Sequence, residues 1–89
     1  MAHGLMDSFC SMLADMVVQT REEISGLVGR AVVLEDRLAR LESQADVDPR
    51  EIERARHDLA ELDRQLDEAR DRLMVLESEY NFARNPVLG

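Results

Sequence analysis

Residues 49–83, PREIERARHDLAELDRQLDEARDRLMVLESEYNFA, carry apolar side chains at alternating three- and four-residue steps: Ile52, Ala55, Leu59, Leu62, Leu66, Ala69, Leu73, Leu76 and Tyr80. No polar residue interrupts the series. An apolar repeat averaging 3.5 residues, sustained over about four heptads, is what a helix needs to wind around another helix. The stretch therefore predicts a long helix whose business is contact with other helices.

The start of that helix is written into the residues before it. Asp48 is an N-cap, Pro49 fits the first helical position, and Glu51 stands at the third, where it completes a capping box. Val47 and Ile52 occupy the two positions of a hydrophobic staple. Helix 2 is expected over residues 49–83, ended by Asn85-Pro86, with residues 84–89 as a frayed tail. Upstream, a second series runs through Met6, Cys10, Leu13, Val17, Thr20, Ile24, Leu27, Ala31, Leu34, Leu38, Leu41 and Ala45. It predicts helix 1 over about residues 6–44 and a turn at about 45–48. So short a link forces an antiparallel return. The fold class expected is all-α: a two-helix coiled-coil hairpin forming a single domain over residues 1–89. Leu38 and Leu41 should lie near Ile52 and Ala55, and Leu13 and Val17 near Leu76 and Tyr80. In helix 2 one seam row alternates small and large (Ala55, Leu62, Ala69, Leu76, Ala83), which permits close approach of the helices.

Bulk composition agrees. Among 89 residues there are two Phe, one Tyr and no Trp, so the core must be built from Leu, Ile, Val, Met and Ala. A hairpin of this size buries one seam, and association is the expected remedy for so small a core. The net charge of −8 argues against general nucleic-acid binding, because phosphates repel an acidic surface. All eleven basic residues are Arg; a GC-rich coding genome accounts for this before any bidentate anion recognition by guanidinium groups is invoked. A lone cysteine, Cys10, cannot form an internal disulfide. With no signal-peptide pattern and no apolar run near the ~20 residues of a membrane span, the chain reads as a cytoplasmic protein with no membrane contact.

The two ends of the hairpin differ. Leu5, Phe9, Met12 and Met16 form a further apolar row in helix 1, widened by Ala14, Val18, Val28, Val32 and Val33, while Met74, Val75 and Phe82 sit off the seam of helix 2. A helix with two apolar rows needs more than one neighbour. Antiparallel pairing brings both excesses to the open end, so Leu5, Phe9, Met12, Met16, Val28, Met74, Val75 and Phe82 are the candidate oligomer or partner interface. The loop end, with Arg37, Arg40, Glu42, Arg50, Glu53, Arg54, Arg56 and Asp58 around a single apolar row, should be solvated. Gly26 and Gly29, off the seam, each cost about 1 kcal/mol against Ala in a helix interior. They read as a tolerated bend, a hinge, or a place where another backbone approaches.

No arrangement for catalysis is evident. His57 is at an outer position near Glu53 and Asp58, and Cys10 falls on the apolar seam. A di-iron bundle needs Glu-x-x-His pairs projecting inward, whereas Glu53 and His57 are four apart and outward, and His3 is terminal. Neither cofactor nor metal is expected. Arg64, Arg70, Arg72 and Arg84 are candidate anion-binding residues if guanidiniums from two chains converge. Asp36–Arg40 and Glu68–Arg72 have the favourable acid-first spacing. The function expected is that of a non-enzymatic oligomeric interaction or regulatory protein, its hairpins completing a four-helix or larger bundle. One alternative is a stoichiometric inhibitor (an antitoxin, an anti-sigma-type factor or a phage counter-defence protein) steered by Glu61, Asp63, Asp67, Glu68 and Asp71. Another is sequestration of a nucleotide-like anion between subunits.

Overall fold

A computed structural model describes residues 2–84, with side chains from residue 8 onward. It consists of two helices, α1 (Ala2–Ser43) and α2 (Pro49–Arg84), packed against each other as a hairpin. Helix α1 begins before the expected Met6, since no proline intervenes upstream. It ends at Ser43, where the Ser43 hydroxyl donates to the Arg40 carbonyl (2.8 Å) and the Gln44 N–H to the Leu41 carbonyl (3.2 Å). Arg84 closes α2 rather than opening a tail; residues 85–89 and the Met6 side chain lie outside what is described.

At the start of α2 the Asp48 carboxylate accepts the Arg50 N–H at 3.0 Å, and the Glu51 N–H donates to the Asp48 carbonyl at 3.0 Å. The reciprocal half of the capping box does not form. Glu51 lines a groove with Arg37, Arg54 and Asp58 and pairs with neither arginine. Val47 and Ile52 are half-buried, as a staple requires.

The seam follows the two apolar series. Leu27, Ala31, Leu62, Leu66 and Ala69 form one core cluster, and Leu13, Val17, Leu76 and Ala83 a second toward the open end, joined there by Cys10, Leu73 and Tyr80. Ala69 is fully covered, at 0 % exposure. Thr20 is buried in the seam, and its hydroxyl donates back to the Met16 carbonyl at 2.8 Å, so the one polar member is satisfied. Ala45 is the exception: it is exposed in the turn, because the helix has ended before the periodicity does.

Among the described residues three ion pairs mark the register across the seam: Arg21–Glu77 at 3.1 Å, Glu23–Arg72 at 3.2 Å and Glu42–Arg56 at 3.4 Å. Residue numbers rise along α1 as they fall along α2, which is an antiparallel ladder. The radius of gyration, 19.9 Å, exceeds the roughly 12 Å of a compact globule of this length. The hairpin has one seam and no second layer.

Two substitutions test this account by denaturant unfolding followed by far-UV circular dichroism. Asp48→Ala should lower stability by about 1 kcal/mol through loss of the cap. Ala69→Leu should cost about 1–3 kcal/mol, because the close approach at this covered position leaves no room for a larger side chain.

Candidate interaction surface

The cross-helix ion pairs divide the hairpin into two flanks. One carries Glu23–Arg72; the other carries Arg21–Glu77 and Glu42–Arg56. Residues seven apart share a flank of a coiled-coil helix, so each candidate interface residue can be assigned. Phe9 and Met16 precede Glu23 at seven-residue intervals, and Met12 lies between them on the same side. On α2, Val75 follows Arg72 by one turn and Phe82 follows Val75 by seven. Phe9 and Phe82 line one open apolar groove of about 550 Å³ together with Ser78, Glu79 and Ala83. The five apolar side chains are exposed, from 40 % at Met16 to 69 % at Phe82.

The other candidates stand elsewhere. Val28 follows Arg21 by seven and Met74 precedes Glu77 by one turn, so both lie on the opposite flank, exposed. Val18 is there too, in a groove with Ala14, Arg21, Glu77 and Tyr80. The Leu5 side chain lies outside what is described. Sequence spacing counts these excess apolar residues; the cross-helix pairs show which side of α1 adjoins which side of α2.

The four arginines do not converge within one chain. Arg64 is held by acids of its own helix: its guanidinium grips Glu61 with both Nε (3.1 Å) and Nη2, and Nη1 donates to Glu68. Arg72 is taken by Glu23, which is why the expected Glu68–Arg72 pair does not form. Arg70 lies seven residues, two turns, past Asp63 on the flank away from Arg72, and Arg84 fourteen residues beyond Arg70. Asp36–Arg40 does form, at 2.8 Å. His57 is exposed and its Nδ1 is 3.8 Å from Asp58, not Glu53. Cys10 is half-buried at the seam. Among the described residues no cluster of His, Cys, Asp and Glu is placed to hold a metal ion, and no helix is long and apolar enough to cross a membrane.

The hydrogen bonds from Arg64, with a further one from Gln65 at 3.4 Å, hold the Glu61 carboxyl below its usual range. A depressed carboxyl contributes stability above the ordinary glutamate pKa, and that contribution is lost as pH falls through the depressed value. Carboxyl-detected NMR should therefore find Glu61 titrating below 4.5, the ordinary value, and Arg64→Gln should return it toward that value. A second charge feature follows from the register. Arg21–Glu77 and Glu42–Arg56 are the same number of heptads apart on both helices; one heptad in from the latter pair, Glu35 and Asp63 face each other. Asp63→Arg should raise stability by roughly 0.5 kcal/mol by replacing repulsion with an exposed pair, read as a shift in the denaturation midpoint.

No protein-family model matches this chain, nor does any curated protein or solved structure.

Proposed function

We propose that this chain is a non-enzymatic interaction protein that works as a homo-oligomer, its hairpins completing a four-helix or larger bundle through the apolar face at the open end. The observation that carries this reading is the exposure of Phe9, Met12, Met16, Val75 and Phe82 on one flank, where Phe9 and Phe82 line a common groove. Isolated apolar residues on a surface need no explanation, but a patch built from two Phe and two Met is of the kind that marks an interaction site. Methionine side chains adapt their shape and suit such a contact. The single seam gives a second reason: a two-helix core of this length gains from a further layer.

A second reading, inhibition of a basic protein partner, is favoured by one feature of α2. Asp63, Asp67 and Asp71 are exposed and form no ion pair among the described residues, whereas Glu61 and Glu68 share the guanidinium of Arg64. Unpaired acids on a helix face act mainly on association rate and its salt dependence. Anion capture has less behind it, since Arg64 and Arg72 are already engaged by carboxylates.

Sedimentation equilibrium tests the main reading. The wild-type chain should form dimers or larger species at micromolar concentration. Phe9→Asp combined with Met16→Asp should give monomers, because charge buried in an apolar contact is strongly unfavourable. A wild-type chain still monomeric at high micromolar concentration would remove self-association. For the second reading, the wild-type chain immobilised on a column should retain a basic protein that elutes with salt, and reversing Asp63, Asp67 and Asp71 to Arg should abolish retention while the oligomer persists.

A further inference from the structure

Gly26 and Gly29 weaken α1 and give the isolated hairpin nothing in return. Neither has a positive φ, and a Cβ built on either meets no atom within 4 Å. No turn and no close approach inside the hairpin requires them. Their missing side chains instead open a groove of about 520 Å³ on the outside, lined by the two glycines, Arg30, Val33, Leu34 and Leu62. Arg30 is the one charge in that lining, and it forms no ion pair among the described residues.

The groove lies on the flank of the open-end patch. Phe9, Met16, Glu23 and Arg30 succeed one another at seven-residue intervals, and so do Met12, Gln19, Gly26 and Val33. The first row projects Phe9 and Met16 and the second Met12 near the open end; about 20 Å farther along the helix, at 1.5 Å per residue, the second row is shaved back at Gly26 and Gly29 clears the row beside it. The charges are complementary as well. Glu79, beside Phe9 and Phe82, is the one charge lining the patch groove and forms no ion pair among the described residues.

We propose that the glycine groove receives the Phe9, Met12 and Met16 patch of a second copy of this chain, in an antiparallel two-fold dimer. The inference rests on the self-association reading above and specifies its geometry. Patch and groove are separated along one flank, so an antiparallel two-fold places patch on groove twice and closes the assembly. A parallel two-fold sets patch on patch and leaves both grooves open, and a simple translation runs on as a filament. The two-fold axis passes near the Glu23–Arg72 pair, midway between Met16 and Arg30. Each copy brings a neutral pair to that point, so like charges do not accumulate there. Arg30 of one copy then meets Glu79 of the other.

Gly26→Leu combined with Gly29→Leu fills the groove from two positions where an added Cβ meets no atom of the hairpin within 4 Å. Far-UV circular dichroism should show helix content kept or raised, while sedimentation equilibrium shows dimerisation weakened by about 10- to 100-fold. Arg30→Glu and Glu79→Arg should each weaken the dimer, and the double exchange should recover most of the loss. A dimer that Phe9→Asp with Met16→Asp destroys, but that the two leucines leave unchanged or tighten, overturns the groove while the patch reading stands. A wild-type monomer at high micromolar concentration overturns both.

Discussion

Two helices can cover only one stripe of each other, and most of this molecule's properties descend from that limit. The covered stripe runs through Leu13, Leu27, Leu62, Leu66 and Leu76, with Ala55, Ala69 and Ala83 admitting the opposite helix closely at every second layer. With so few aromatic residues, depth of burial comes from this alternation of small and large side chains. Apolar side chains beyond the stripe have nowhere to go within one chain. Phe9, Met12, Met16 and Phe82 are exposed because the geometry of a hairpin is exhausted by its seam.

Electrostatics then gives the seam its sides. The cross-helix ion pairs are exposed and individually worth little; their structural information is the register they report. They place Glu23 and Arg72 on one flank and Arg21 and Glu77 on the other. Local pairing competes with that pattern and takes some charges out of play. Arg64 spends its guanidinium on Glu61 and Glu68, which leaves Asp63, Asp67 and Asp71 as the open acidic face of α2.

The distribution of apolar excess along the axis separates two regions of the same surface. Near the turn, Arg37, Arg40, Arg54 and Arg56 surround a single apolar row and face water. Near the open end the apolar surface is wider than the seam, and between the two lies the stretch that Gly26 and Gly29 strip of side chains.

The amino-acid sequence by itself determined the two long helices, the Pro49 start, the antiparallel return and nearly every seam residue. These follow from local rules: a 3.5-residue period, a cap, and a link too short to allow any other path. Local rules also misjudged what lay at their edges. Glu51 did not complete its box; Arg72 chose Glu23 over Glu68 because the other helix supplied a partner, and Ala45 fell beyond the helix end. How the surplus apolar residues of the two helices come together was decided only in the tertiary structure, which sets Phe9 and Phe82 in one groove. The reason is axial: each helix's heptads give its inward stripe and its two sides, but only the packed pair sets the level at which a residue of α1 meets one of α2.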